Sequence, residues 1–264
     1  MDKFVKLGQD MVLLWSKYKV MYWAGIWNTL KLAFLATLIG CFIGLLCGVL
    51  NTIPYTKKDP LPKRFLLKLL RIIIRIYVEV FRGTPMVLQS VFIYYGLPYF
   101  SNNALRFDNI FAAALLIVAI NTGAYMAEIV RGGIISVSKG QFEGAHAIGM
   151  THAQTMFYVV IPQVLRNILP SVANEFVINI KDTSVLNVIG FTELYFVAYT
   201  INSINYQTFA TYLLVAIIYF VLTFTITRIL RLIEKKMDGK KNYTVQGSQN
   251  MDADSILREQ TAAG

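Results

Sequence analysis

Long uncharged apolar runs, rather than strict alternation of apolar and polar positions, organise this sequence. Residues 32–50, 83–105, 109–127 and 194–227 contain no Asp, Glu, Lys or Arg. A helix needs about 20 mostly apolar residues to cross a bilayer. The last run exceeds one crossing, and Asn202, Asn205 and Gln207 mark a turn inside it before a final helix. A further apolar stretch, 165–191, is interrupted by Pro170, Glu175, Lys181, Asp182 and Gly190. Polar breaks of that kind are tolerated at membrane depth only against protein or a water-filled cavity. The stretch 65–81 carries Lys68, Arg71, Arg75 and Glu79 and reads as the approach to the second crossing. The pattern therefore predicts an all-α polytopic protein with five transmembrane helices, at about 28–50, 72–100, 108–130, 165–191 and 208–231. In the first of these, Gly40, Gly44 and Gly48 stand four apart and form a small-residue stripe suited to close helix packing.

Composition agrees. Of 264 residues, 56% are hydrophobic and 15% charged, against about 25% charged in an average soluble domain. Disorder is excluded. The formal charge of +10 does not require nucleic acid, because it is concentrated in segments that membrane proteins keep on the cytoplasmic side. Lys57, Lys58, Lys63, Arg64, Lys68 and Arg71 cluster in one loop, and Arg228, Arg231, Lys235, Lys236, Lys240 and Lys241 follow the last crossing. With five crossings, this places the C-terminus and a polar tail, 234–264, inside and the N-terminus outside. Residues 1–26, with Trp15, Tyr18, Tyr22 and Trp23, read as an external amphipathic segment at the interface. Cys41 and Cys47 share one apolar run and read as small packing residues.

Residues 132–164 are too polar to span and too apolar for a free linker. They predict a short helix near 141–148, a left-handed cap at Gly149, and a second helix with Pro162 near its end. The order Glu143-Gly144-Ala145, Gly149, then Val159-Val160-Ile161-Pro162 resembles the EAA loop of bacterial ABC-importer permeases, which runs Glu-Ala-Ala, three residues, Gly, nine residues, Ile-x-Leu-Pro. It departs at Gly144, Val159 and Ile161, each close in size to the family's residue. Three further strings narrow the resemblance to polar amino-acid permeases of the type I class: Phe81-Arg82-Gly83-Thr84-Pro85, the stretch from Gly123 to Gly133, and Lys181-Asp182-Thr183-Ser184. The resemblance covers about 27–231.

It implies a transmembrane subunit that pairs with a second permease, identical or related, two ATPase subunits and an extracytoplasmic amino-acid-binding protein in a bacterial cell membrane. Gly140, Glu143, Gly144, Ala145, Gly149, Met150 and Pro162 would form the ATPase-docking loop. The chain has no Gly-x-x-x-x-Gly-Lys-Ser/Thr phosphate loop, so it is read as a transport subunit and not an enzyme. No cofactor is expected on it, and ATP and Mg belong to the partner ATPases. His146 and His152 lack zinc-protease spacing, and no metal site is expected.

Charges inside the membrane need a partner or a cavity, since each costs roughly 2.5–3.5 kcal/mol at the bilayer centre. Glu79 with Arg82, and Glu128 with Arg131, stand three apart and predict local ion pairs with a gating role. Lys181 and Glu193 join them as gating or pairing candidates. Adjacent Lys181 and Asp182 point in different directions on a helix and cannot simply satisfy each other. A free amino acid carries an ammonium and a carboxylate, so Asp182, Thr183 and Tyr125, with Glu175, Met86 and Gln89, are candidates to line its path. A packing and gating network at a subunit interface is the alternative for the same residues. Broken helices with buried charges also suit a self-contained carrier or channel, which leaves the 143–162 hairpin without a purpose.

Overall fold

The computed structural model describes residues 2–55 and 59–237. The described residues fold as ten α-helices with short π and 3-10 turns between some of them. The tail expected at 234–264 lies outside the described residues from position 238 onward.

The first helix, α1 (Asp2–Thr52), has 51 residues, about 76 Å of helix against a hydrocarbon core about 30 Å thick. It must therefore extend well beyond the bilayer. It has no boundary at residue 26 but is kinked at Tyr18, which departs from helical geometry (φ −115°, ψ 15°), beside a stack of Trp15 on Tyr22. Residues 2–26 thus lie in the same helical element as the predicted first crossing, bent at Tyr18.

Helix α2 (Leu61–Gly83) stops where the sequence requires it. Thr84 precedes Pro85, a position that disfavours helical ψ, and it is extended (φ −123°, ψ 146°). The chain restarts as α3 (Met86–Val91), a π turn (Phe92–Gly96) and α4 (Leu97–Phe100). The crossing predicted at 72–100 is consequently two pieces. Four helical stretches are long and apolar enough to cross a membrane: Lys3–Thr52, Ile110–Ser136, His152–Ile189 and Thr208–Lys236. They overlap the other four predicted crossings.

Helix α5 (Ile110–Ser136) is the centre of the bundle and is buried along most of its length. The Asn109 side chain caps it, accepting from the Phe111 and Ala112 amides. It packs along α1 through the predicted glycine stripe. A Cβ at Gly40 would lie 2.7 Å from Thr122 Cβ, one at Gly44 2.7 Å from the Met126 carbonyl carbon, and one at Gly48 2.8 Å from Val130 Cβ. The two backbones can approach this closely only because those positions carry no side chain.

Helices α6 (Lys139–Ala147) and α7 (His152–Thr155) form the hairpin, and a π turn (Met156–Val160) leads into α8 (Ile161–Asp182). Pro162 therefore opens a long helix rather than closing a short one. Both π turns precede a proline by two residues, Pro98 and Pro162. Proline has no N–H to give the carbonyl four residues back and its ring crowds that carbonyl; a wider turn relieves the conflict, and the Ile161 amide donates to Met156 instead. A 3-10 turn (Thr183–Ile189) follows α8 and ends at left-handed Gly190 (φ +80°). Helices α9 (Leu194–Asn205) and α10 (Thr208–Met237) meet at the turn expected from Asn202, Asn205 and Gln207.

Three apolar clusters join these elements. Leu14, Tyr22 and Ile26 pack with Leu194, Val197 and Ile201. Leu32 and Ala36 meet Ile117, Val118 and Leu186. Met126, Val130 and Ile134 meet Met156, Val160 and Val164, which seats the hairpin beneath α5.

Candidate docking loop and polar path

The hairpin is built from two capping motifs. Helix α6 ends with the Met150 amide donating to Ala145 (3.1 Å) and the Gly149 amide to His146 (3.0 Å), the paired bonds of a Schellman cap. Gly149 supplies the left-handed residue, φ +83°. One residue on, Thr151 and Gln154 form a reciprocal capping box that starts α7. Sequence reasoning placed the glycine and missed the box, whose Thr-x-x-Gln spacing is legible.

The predicted docking residues divide by role. Ala145 is buried, and Phe142 packs α6 against the cluster around Met126 and Val160. Gly140, Glu143, Gly144 and Gly149 are exposed, with Ile148 79% exposed. A Cβ at Gly144 would meet nothing, so its small size is not needed by this chain's own packing. Burial and the neighbouring His146 hold His152 below the usual imidazole range, so it is neutral at neutral pH.

Within the bundle, Arg82 bonds Glu128 across from α2 to α5, and Arg131 bonds the same carboxylate at 2.7 Å. The predicted Glu128 and Arg131 pair is present. The predicted Glu79 and Arg82 pair is not: Glu79 is exposed and joins no ion pair among the described residues. A charge on α5 competed successfully with the one a turn away. Arg82 also lies over the Tyr125 ring at 5.4 Å, which ties four candidate residues into one cluster.

Gln89 and Glu193 each sit in a dense local hydrogen-bond network. Gln89 is buried and its amide donates to the Phe81 carbonyl (2.8 Å) and the Thr84 carbonyl (2.9 Å) while its oxygen accepts from Asn121 (2.9 Å). It seals the carbonyls released where α2 breaks. Glu193, fully buried, joins no ion pair among the described residues; it caps α9, accepting from the Tyr195 and Phe196 amides and the Tyr219 hydroxyl. Thr183 is buried and donates to Ile180, and Met86 packs beside the cluster around Ile117.

Glu175 and Asp182 stand two turns apart on α8, so they share a face. Glu175 is buried, Asp182 half-buried, and Glu175 lies within electrostatic range of both Asp182 and Arg82. Lys181 points elsewhere and is exposed. Between the carboxylates, buried Asn179 donates to Thr37 of α1 (2.8 Å) and accepts from Thr122 of α5 (3.1 Å). Sequence reasoning passed over this bridge because its members are uncharged; polar residues inside an apolar run were the available signal.

Membrane-length helices broken around buried polar groups, with an exposed helical hairpin beneath, define a membrane transport component. The chain belongs to the family of binding-protein-dependent transport system inner membrane components, whose model matches residues 60–239. It is 36% identical over 222 residues to the glutamine transport system permease protein GlnP of Escherichia coli (strain K12), covering 81% of this chain and 97% of that one. It is 33% identical over 229 residues to the L-cystine transport system permease protein TcyB of Bacillus subtilis (strain 168), covering 85% and 91%. A crystal structure of an amino acid ABC transporter with histidines superposes with TM-score 0.73 at 39% identity, over 85% of this chain and 97% of that one. An inward-facing MetNI methionine ABC transporter superposes at 0.67 with 19% identity, over 83% and 97%, a likeness of fold.

Proposed function

We propose that this chain is the permease subunit of an ATP-driven importer of polar amino acids. The observation that carries the reading is the hairpin from Lys139 to Pro162, doubly capped, anchored by Ala145 and presenting an exposed face. A self-contained carrier has no use for such a surface. Two ATPase subunits dock there, a second permease completes the pore, and an extracytoplasmic binding protein delivers the substrate. ATP and Mg are held by the ATPases. The basic loop and the end of α10 face the cytoplasm and the N-terminus faces outward, in accord with the charge distribution. The named relatives, which carry glutamine and L-cystine, support an amino-acid substrate.

Closure of the ATPases on bound ATP pushes α6, and the push reaches α8 through the π turn at Met156–Val160. Glu175 and Asp182 receive the substrate's ammonium, and Thr183 and Tyr125 border the same path. Purification of the complex with its companion chains, followed by an amino-acid screen of ATPase stimulation, tests the assignment. Asp182→Asn is expected to lower substrate stimulation at least tenfold with assembly intact; wild-type stimulation would remove the residue from the path.

The docking surface is tested separately. Glu143→Lys reverses an exposed charge, and Gly149→Trp puts a bulky residue where φ is positive, at a cost of roughly 1–2 kcal/mol. Each is expected to release the ATPase on purification while the permease stays inserted. Undiminished co-purification of the ATPase with both variants would overturn docking at this loop.

A further inference from the structure

A groove of about 240 Å³ runs between α8 and α10. Its α10 wall is Phe220, Thr223, Phe224, Thr227, Arg228 and Arg231, and Val177 and Lys181 of α8 close the other side. The α10 residues recur at intervals of one, three and four, so they form a single stripe. Along that stripe rings and hydroxyls alternate, Phe220, Thr223, Phe224, Thr227, and guanidinium groups follow at Arg228 and Arg231.

Among the described residues the two arginines have no carboxylate partner, and Lys181 has only the through-space attraction of neighbouring Asp182. Lys181, Arg228 and Arg231 take part in no ion pair among the described residues. The carboxylates nearest in sequence, Asp182 and Glu234, make none with them. Arg228 is drawn over the Phe224 ring at 4.9 Å, which holds its charge at the groove rather than away from it. The threonine hydroxyls spend their protons on the helix backbone, Thr223 to Tyr219 (2.8 Å) and Thr227 to Thr223 (2.7 Å). Hydrogen-bond donation into the groove therefore comes from the three cations. Beyond them α10 continues to Lys235 and Lys236, both exposed.

Unpaired cations beside a hydrocarbon-facing surface require a partner. The occupant must be anionic at one end and apolar at the other, in the order the stripe presents. We propose that this groove binds an anionic phospholipid, its phosphate held by Arg228, Arg231 and Lys181 and an acyl chain lying along Phe220 and Phe224. Basic pockets between membrane helices are general sites for such headgroups. The inference is independent of which solute is transported.

The test uses the purified complex of permease and ATPases in nanodiscs of phosphatidylcholine mixed with phosphatidylglycerol, with retained lipid read by native mass spectrometry after detergent extraction. The wild type is expected to retain phosphatidylglycerol in preference to phosphatidylcholine. The triple variant K181Q/R228Q/R231Q loses that preference, by about fivefold per cation removed. A charge-conserving R228K/R231K variant retains it, and K235Q/K236Q, beyond the groove, changes it less. Equal phosphatidylglycerol retention by the wild type and the triple variant would overturn the site. So would stabilisation by inorganic phosphate as great as by phosphatidylglycerol, which would make it a free-anion site. Photocrosslinking from position 224 to the second permease instead of to lipid would also overturn it, by showing that the partner fills the groove.

Discussion

Gly44→Leu is expected to abolish assembly of a stable transporter. The added Cβ would meet the Met126 carbonyl carbon at 2.7 Å and the Ala127 nitrogen at 2.8 Å, backbone atoms that cannot rotate away as a side-chain tip would. Overpacking in a well-ordered core costs typically 1–3 kcal/mol, and here the strain falls on the contact between α1 and the central helix, so a loss of more than about 3 kcal/mol is expected. Fluorescence-detected size exclusion and a melting curve on the solubilised complex measure it. The matched control is Gly132→Ala, on α5 itself, where a Cβ meets nothing and wild-type behaviour is expected. If Gly44→Leu melts with the wild type, α1 and α5 do not pack along the glycine stripe.

That stripe shows what the sequence can and cannot reveal. Four-residue spacing identifies Gly40, Gly44 and Gly48 as a packing face, yet nothing local names Thr122, Met126 and Val130 as the surface they meet. The same division holds at the Gly83-Thr84-Pro85 break. Proline chemistry fixes where α2 stops, whereas the repair of its freed carbonyls by Gln89 and Asn121 depends on α3 returning to α5. A polar side chain at membrane depth suggests a path residue, and the contacts add what Gln89 satisfies within the chain.

The partner of Arg82 is hard to read for a related reason. Helical spacing makes a partner three residues away the default, as Glu128 and Arg131 demonstrate, but Arg82 ignores Glu79 for a carboxylate on another helix. Glu193 carried a readable signal that the charge itself obscured: an acceptor directly before an apolar helix is a cap. The docking hairpin was the most legible part, because caps are local and their bonds span three to five residues.

Asn179→Leu is expected to weaken substrate coupling more than it weakens the fold. The side chain is 3% exposed and joins α8 to Thr37 and Thr122. Its removal deletes both bonds. Thr37 remains satisfied by donating to Ala33, while the Thr122 hydroxyl loses its acceptor. Interhelical bonds of this type contribute about 0.6 kcal/mol on average and up to about 1.7 kcal/mol each, so the destabilisation should be about 1–3 kcal/mol, a modest drop in melting temperature. The larger consequence is geometric. Asn179 lies four residues after Glu175 and three before Asp182, so its two bonds set the rotation of α8 that aims both carboxylates. With α8 free to turn, the substrate concentration for half-maximal ATPase stimulation should rise roughly tenfold, the value of about 1.4 kcal/mol of lost orientation, while ATPase co-purification is unchanged. Asn179→Ser, which keeps a hydroxyl on the bridge, should recover part of the shift. Thr37→Val should add little to Asn179→Leu if the two act through one bond. Strictly additive shifts in that cycle, or an unchanged half-maximal concentration in Asn179→Leu, would show that α8 is oriented by its apolar packing alone.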